Sequence, residues 1–187
     1  MVYSIIQKLQ LEGAKRLDAE YYQPEYLLAD KIISAGKWLL LGDLLDTLTD
    51  YHANGSYEIL KNNVHLSTEN NYALMVRAVD LENDNFNTGI RYVSKKSYDF
   101  LKKTVIFGRE IIIDKIGNAG EVFLMPDLNR PVTLGMNLFL LRLKNIVSPE
   151  FVYIYLISKI GKLLIYQKVT GSVPTSIDKE SVRSVKI

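Results

Sequence analysis

The chain has 187 residues, 48% of them hydrophobic and 24% charged, which is the balance of one large globular domain or of one domain with an appendage. It contains no cysteine, which excludes disulfides, thiolate zinc sites and a cysteine nucleophile. The formal net charge of +2 is weak for a nucleic-acid binder, but residues 140–187 hold eight Lys and Arg against three Asp and Glu. This basic quarter indicates either a local anionic contact or a solvated basic helix face, and charge alone favours neither.

The N-terminus predicts a strand and a helix before the main body of the chain. Residues 3–11 partly alternate apolar and polar side chains, which is typical of a strand. Pro24 suits the first position of a helix that Gly36 would end. Trp38 follows and is interpreted as a core anchor. We therefore expect an N-terminal extension over 1–36 and a separate domain over 37–187.

No feature of the sequence predicts contact with a membrane. No apolar run approaches the roughly 18 residues that a membrane-spanning helix needs. The first residues also lack the basic start and long apolar stretch of a signal peptide. We therefore expect a cytoplasmic protein.

Residues 46–63 are polar and predict a long loop, and long loops in compact domains are often functional. Its side chains suited to a polar ligand are Tyr51, His52, Asn54 and Lys61.

Residues 72–80 are strand-like, with Arg77 set among apolar neighbours. A half-buried arginine needs a partner. Arg77 could pair with Asp80 or reach a base or a phosphate, and both interpretations stay open.

The middle of the chain predicts a strand at 90–93, a short helix capped by Ser94, and then a hairpin. The apolar run at 111–113 predicts a buried strand, 117–120 a tight turn that glycine permits, and 121–125 the returning strand. Lys115 and Asn118 would lie near the tip. The tip is either a ligand-contacting site or an ordinary solvated turn.

The last third predicts a connector at 130–133, a strand at 134–143 interrupted by Gly135, a helix from Ser148, a hydroxyl-rich loop at 170–176 and a final strand at 181–187. Ser148-Pro149-Glu150 combines an N-cap, a proline at the first helical position and an acid in the first turn. Gly161 would break or bend that helix. The candidate ligand-contacting residues here are Asn137, Lys168, Ser172 and Thr175.

Motifs for catalysis are missing from the sequence. The two histidines, His52 and His65, sit in no metal-ligating cluster, and there is no nucleophile elbow, Walker loop or dinucleotide fingerprint. No two prolines are adjacent, which excludes the Asn/Asp-Pro-Pro-aromatic motif of amino-methyltransferases. We expect no catalytic residue, no metal and no cofactor. The turn at 117–120 also fits the GxxG loop of KH domains, but that loop joins two helices, whereas strands are predicted here.

Taken together, these landmarks resemble one target-recognition domain of the specificity subunits of type I restriction–modification enzymes. The matching pieces, in chain order, are 16–22 (RLDAEYY), 41–44 (LGDL), Gly55, 76–80 (VRAVD), 93–94 (VS), 108–113 (GREIII), 116–120 (IGNAG), Asn137, 151–156 (FVYIYL), 170–172 (TGS) and Ile177. Their order and spacing cover nearly the whole chain.

The resemblance implies an α+β fold with a mixed, mostly antiparallel twisted sheet and a few helices. It also implies a non-catalytic component that reads one half of a split double-stranded DNA target. In that family, methyltransferase subunits modify adenine and a restriction/translocase subunit cleaves. The family usually carries two such domains separated by long helices, so the resemblance leads us to expect a fragment, a half-length subunit able to form a homodimer, or a part of a fused enzyme.

The alternative is a protein–protein adaptor that binds through an aromatic-rich helix at 150–168. Under the resemblance, the loops at 46–63, 115–120 and 170–176 form the DNA face. Lysine and arginine would then contact phosphates, while asparagine, arginine and hydroxyl groups would read base edges. The predicted DNA-binding residues are Tyr51, His52, Asn54, Lys61, Arg77, Lys115, Asn118, Asn137, Lys168, Ser172 and Thr175.

Overall fold

The structure is a computed structural model that describes residues 3–14 and 16–187. The helices in this part of the chain are α1 (Lys8–Ala14), α2 (Pro24–Ser34), α3 (Leu41–Leu44), α4 (Tyr57–Asn63), α5 (Ala78–Glu82), α6 (Lys95–Phe100), α7 (Pro149–Ile157), α8 (Lys159–Tyr166) and α9 (Lys179–Arg183). The strands are β1 (Leu45–Asp50), β2 (Leu66–Ser67), β3 (Ala73–Val76), β4 (Arg91–Val93), β5 (Val105–Ile106), β6 (Ile111–Asp114), β7 (Ile116–Gly117), β8 (Val122–Leu124), β9 (Val132–Leu134), β10 (Leu138–Leu143) and β11 (Thr175–Ser176). Three 3₁₀ turns lie at Ala19–Tyr22, Tyr51–Asn54 and Lys102–Thr104.

The strands form two large sheets and one small one. The first sheet is antiparallel, in the order β1-β10-β6-β8, and the second has the order β2-β4-β3-β9-β5. In the second sheet only the β3–β9 pair is parallel. A short antiparallel pair, β7 with β11, completes the set. The predicted α+β class with mostly antiparallel pairing is confirmed, although two packed sheets replace the single sheet that we expected.

The first sheet is buried on both faces. Ile111 and Ile113 of β6 pack into the layer of helices, while Ile112 between them packs against the second sheet. Successive side chains of a strand point to opposite faces, so a strand buried on both faces needs apolar residues at every position. This explains the uninterrupted isoleucine run, and the predicted buried strand and its hairpin with β8 are confirmed.

The outer layers complete the core on both sides. Helices α2, α3, α7, α8 and α9 contribute buried side chains to the core beneath the first sheet. Helices α4 and α6 lie beside the outer face of the second sheet. The buried residues of this smaller cluster are Tyr51, Leu60, Ala73, Met75, Val93 and Leu101. No helix within the described ranges is both long and apolar enough to cross a membrane.

Helix starts with strong local signals lie where the sequence predicts them. Pro24 is the first residue of α2, and the hydroxyls of Ser94 and Ser148 accept hydrogen bonds from the backbone of α6 and α7. The helix predicted from Ser148 is interrupted, but the chain turns at Ser158 between α7 and α8, three residues before Gly161, which lies in the first turn of α8. A Cβ atom on Gly161 would lie 2.1 Å from the carbonyl oxygen of Tyr155, so only glycine fits this junction.

Two N-terminal predictions are wrong. Residues 3–11 form no strand; α1 begins at Lys8, and Tyr3 and Ile5 are 76% and 88% exposed. The partial alternation of apolar residues there has no second strand to pair with. Trp38 is 41% exposed and lies against the ammonium of Lys186 rather than in the core.

The predicted loop at 46–63 is also wrong over most of its length. Its first part is β1, and its last part is α4. Because β1 is the edge of its sheet, the exposed Asp46 and its polar neighbours can face water while Thr49 and Asp50 are buried. Only 51–56 remains as a connection, and part of that is a 3₁₀ turn.

The predicted connector at 130–133 is wrong in part, because Val132–Leu134 form β9, and the predicted strand at 134–143, interrupted by Gly135, is confirmed only over Leu138–Leu143. β9 and β10 are separate strands in different sheets, joined by residues 135–137. The backbone N–H of Gly135 donates to the carbonyl of Val76 at 2.7 Å, and a Cβ atom there would lie 2.5 Å from that oxygen. The close approach of these two backbones ends one strand and redirects the chain into the other sheet.

The predicted strand at 181–187 is wrong over its first part, which belongs to α9 (Lys179–Arg183). The carboxylate of Asp178 accepts from the N–H of Ser181 at 2.7 Å and caps α9. Only the last residues are extended, where Ile187 exchanges two backbone hydrogen bonds with Leu39.

Candidate nucleic-acid interface

The tip of the β6–β8 hairpin is held by backbone hydrogen bonds. The N–H of Lys115 donates to the carbonyl of Asn137 at 2.7 Å, and the N–H of Gly120 donates to the carbonyl of Asp114 at 2.9 Å. Gly117 and Gly120 have φ values of +114° and +94°, a region that glycine enters without steric cost. The tip is therefore a rigid support for its side chains.

The 170–176 loop is attached to this tip. Thr175 pairs with Gly117 in the β7–β11 ladder, and the Thr175 hydroxyl donates to the Gly117 carbonyl at 2.6 Å. Asn118 is exposed beside them, and its amide donates to the carboxylate of Glu82 at 2.7 Å. Ser172 is exposed on the same loop. Two of the three predicted DNA-facing loops thus meet through a strand pair.

The ends of the strands bring further segments to the same end of the molecule. In the first sheet Asp50, the last residue of β1, pairs with Phe139, and Asp114, the last residue of β6, pairs with Leu138. In the second sheet the parallel strands β3 and β9 end together, and residues 135–137 link β9 to the start of β10. We call this surface the loop end, comprising residues 51–56, Arg77, 115–120, 135–137 and 171–176.

Lys115 is paired at the loop end with a buried carboxylate. Its ammonium lies 2.9 Å from one oxygen of Asp50, and the ammonium of Lys179 lies 3.2 Å from the other. Burial acts to raise the pKa of Asp50, but the hydrogen bonds from Lys115 and Lys179 outweigh it, and the pKa lies below its ordinary value. Asp50 therefore stays ionised between two cations.

Arg77 pairs with Asp80, which was one of the two interpretations left open by the sequence. The guanidinium makes two hydrogen bonds to the carboxylate of Asp80, which is 4% exposed, and a third to the carbonyl of Gly89 at 2.8 Å. The hydrogen bond to Asp80 raises the pKa of Arg77. These contacts use Nε and one Nη, and the other Nη has no partner within the described residues, so a bidentate contact to a base edge would require at least one of these hydrogen bonds to be exchanged.

The residues predicted in the 46–63 segment have different surroundings. Tyr51 is buried in the core, and burial raises the pKa of its hydroxyl. The amide of Asn54 donates to the carbonyl of Tyr51 and to the hydroxyl of Thr104 at 2.9 Å. His52 and Lys61 are exposed, the latter on α4.

The two remaining predicted residues lie in contrasting environments. Asn137 is exposed, with a φ of +64°, in the link between β9 and β10. Lys168 is half-buried, and its ammonium lies 5.3 Å from the ring centre of Tyr21. Burial lowers the pKa of Lys168. Its partner Tyr21 lies in the 3₁₀ turn at Ala19–Tyr22 rather than at the loop end.

Lys179 is not among the residues that the sequence predicts to bind DNA. The residue is separated from Asp50 by 129 positions, and no local motif links the two. The only signal was the excess of basic residues after 140. Within residues 3–14 and 16–187, no group of three His, Asp or Glu side chains is arranged to hold a metal ion.

A family model described as "Type I restriction modification DNA specificity domain" matches residues 41–187. Among solved structures, the HsdS subunit from Thermoanaerobacter tengcongensis aligns with a TM-score of 0.52 at 16% identity, over 96% of this chain and 42% of that one. A chain from a structure titled for complex assembly and conformational transition of the type I R-M system aligns with a TM-score of 0.56, also at 16% identity, over 96% and 43% of the two chains. At this identity the likeness shows a shared fold, and the chain spans less than half the length of these structures. No curated protein matches in the sequence comparison.

Proposed function

This chain belongs to the family of type I restriction–modification DNA specificity domains, and from that membership we propose that it reads one half of a split double-stranded DNA target. On this proposal it directs adenine methylation and cleavage that partner subunits carry out. The observation that carries the proposal is the family match, which extends over residues 41–187. Neither the family match nor the solved structures favour the alternative function, a protein–protein adaptor.

The geometry of the loop end supports this function. Sites that specify DNA sequence combine phosphate-binding cations with side chains that hydrogen-bond to base edges. The exposed His52, Asn118, Asn137 and Ser172 offer such hydrogen-bonding groups at the loop end, which also holds Lys115. We propose these, with Thr175 and Lys61, as the first residues to test.

Four of the predicted DNA-binding residues that lie away from the hairpin tip already make intramolecular contacts. These residues are Tyr51, Asn54, Arg77 and Lys168. We propose to test these residues after the exposed ones, because their polar groups already contact other groups of the protein.

We further propose that the chain is a non-catalytic component in the cytoplasm, with residues 1–36 as an extension of the 37–187 domain. Its proposed partners are methyltransferase subunits and, through them, the restriction/translocase subunit. A homodimer is proposed for the case of a half-length subunit. The absence of catalytic motifs in the sequence supports the non-catalytic role.

The test is the salt dependence of DNA binding by the full chain. We expect binding of mixed-sequence duplex DNA, measured by fluorescence anisotropy, with a dissociation constant of about 10⁻⁴–10⁻⁶ M at physiological salt. Affinity should fall linearly on a logarithmic scale between about 50 and 200 mM salt, because counterions are released from phosphates. No DNA binding, or binding that salt does not change, would contradict the proposal.

A second measurement addresses the non-catalytic role. We expect the purified chain to transfer no methyl group to DNA in the presence of S-adenosylmethionine, and to cut no DNA in the presence of Mg²⁺. With methyltransferase subunits present, methylome sequencing of expressing cells should show one methylated split motif. Stoichiometric methyl transfer by the chain alone would contradict this role.

A further inference from the structure

Three side chains from distant parts of the chain converge on one spot at the loop end. Asp50 ends β1, Lys115 follows β6, and Lys179 begins α9. Each lysine contacts a different oxygen of the Asp50 carboxylate, at 2.9 and 3.2 Å. Among the ion pairs of the described residues, Asp50 is the only carboxylate shared by two lysines.

Both ammonium groups lie near the aromatic ring of Phe139. Phe139 is 1% exposed and pairs with Asp50 across the ladder, so both side chains lie on the same face of the sheet. The two ammonium nitrogens lie 5.4 and 5.9 Å from the ring centre, within the range of a cation–π interaction. The lysines are thus positioned in advance, which reduces the entropy lost when a ligand binds.

The cluster has unused binding capacity. An ammonium group has three hydrogen-bond donors, and Asp50 is the only acceptor found for either lysine within the described residues. The side chains of Lys115 and Lys179 remain 25% and 35% exposed, so further donors are accessible. Two ammonium groups on one carboxylate leave a net charge of +1.

This surplus argues against a purely structural ion pair. One lysine would suffice to neutralise Asp50, and the second adds repulsion between like charges. An anion bound between the two ammonium groups would remove that repulsion and accept from both.

The charge around the tip decides where such an anion can bind. The cleft of about 730 Å³ beside Asn118 has three carboxylates in its walls, those of Glu20, Glu82 and Glu121. These carboxylates repel phosphate. The lysine pair at Asp50 offers the opposite sign on the same hairpin.

We propose that Lys115 and Lys179 together bind one phosphate of the DNA backbone, and that Asp50 is the residue that positions them. This rests on the proposed function, because it assumes that DNA lies on the loop end. Lys179 would be a DNA contact on a helix outside the three loops that the sequence predicts. A phosphate contact sets the register of the protein on DNA and carries no sequence information of its own.

The test compares Lys115→Gln and Lys179→Gln with Lys186→Gln in the full chain. Lys186 is a matched control: its ammonium lies 2.7 Å from Asp30 and 4.9 Å from the ring centre of Trp38, and its side chain is 23% exposed. Each of the first two substitutions takes the cluster from +1 to zero. Each should weaken binding of mixed-sequence duplex DNA by about three- to tenfold and lower the salt slope by about one unit. The Lys179→Arg and Lys186→Gln variants should both keep the salt slope of the unaltered chain.

A second measurement uses the unaltered chain and does not depend on whether the variants fold. Duplex DNA should protect Lys115 and Lys179 from an amine-acetylating reagent, read by mass spectrometry, while Lys186 reacts equally with and without DNA. Salt-dependent DNA binding without this protection, and with slopes unchanged in both Gln variants, would overturn the lysine pair and leave the proposed function standing. A chain that shows no salt-dependent DNA binding would overturn both.

Discussion

Arg77 is the residue at which base reading and structural support compete directly. Its guanidinium makes a bidentate contact with the carboxylate of Asp80, and the side chain of Asp80 is almost entirely buried. A carboxylate that loses such a partner keeps its cost of burial.

We therefore expect Arg77→Ala to lower the free energy of unfolding by about 1–3 kcal/mol, because Asp80 is left buried without its cation. Thermal unfolding followed by circular dichroism measures this. Arg91→Ala is the control, since Arg91 makes only two longer hydrogen bonds within residues 3–14 and 16–187, both at 3.3 Å to backbone carbonyls. An unchanged melting temperature with relaxed discrimination at one base pair would instead assign Arg77 to base reading.

Asp50 gives the stability of the chain a predictable dependence on pH. Its pKa in the folded chain is lowered by Lys115 and Lys179 against the opposing effect of burial. A lowered folded pKa adds stability above the unfolded pKa, about 3.9, and this stability is lost as the pH falls below it.

We expect Asp50→Asn to lower the melting temperature at pH 7, with a difference from the unaltered chain that shrinks as the pH falls from about 5 to 2. Melting scans in buffers of equal ionic strength measure it. Asp46→Asn on the same strand is the control, because Asp46 is exposed and such surface changes stay within about 0.5 kcal/mol. A difference that stays constant over this pH range would show that the charge of Asp50 does not stabilise the fold.

At the scale of the element, the β6–β8 hairpin joins a buried strand to a solvent-facing tip. Its two glycines differ in their surroundings. A Cβ atom on Gly117 would meet nothing within 4 Å, whereas one on Gly120 would lie 2.8 Å from a methyl group of Ile165. Ile165 is itself 1% exposed and cannot move freely.

We expect Gly117→Ala to destabilise the chain by about 1–2 kcal/mol through its positive φ alone. Gly120→Ala should cost about 1–3 kcal/mol more, because the new methyl group also overpacks the core. Urea unfolding of both variants measures the two values. Equal losses would mean that the helical layer yields at Ile165 and that only backbone conformation matters at this tip.

At the scale of the whole molecule, residues 16–34 pack against the part of the chain that the family model matches. Ala29 of α2 is 2% exposed within the core beneath the first sheet. The guanidinium of Arg16 donates to the carbonyls of Lys168 and Val169, and Asp30 pairs with Lys186 at 2.7 Å.

We expect a chain truncated to residues 37–187 to fold with a melting temperature lower by about 6–12 °C. Burial of the side chains of residues 1–36 contributes about 3 kcal/mol to the free energy of unfolding. At this chain length each kcal/mol changes the melting temperature by about 2–4 °C. Within the full chain, Ala29→Glu should reproduce much of the loss, while Leu28→Glu, at a position 57% exposed, should not. A truncated chain as stable as the full one would make residues 1–36 an independent appendage.

Short-range signals in the sequence determined the starts of α2, α6 and α7 and the buried hairpin. Each depends on residues within about four positions, such as a serine that caps its own helix or a proline at the first helical position. The family resemblance likewise follows from the order of local motifs along the chain, and the family match over 41–187 confirms it.

Tertiary structure alone decided which strands share a sheet and which side chains meet. The polar β1 is a strand because β10 pairs with it, and β9 and β10 lie in different sheets because Gly135 contacts β3. The structure pairs Arg77 with Asp80, three positions away, and it pairs Lys179 with Asp50, which is 129 positions away. Contacts between distant residues depend on how the sheets and helices pack, and no local pattern in the chain encodes that packing.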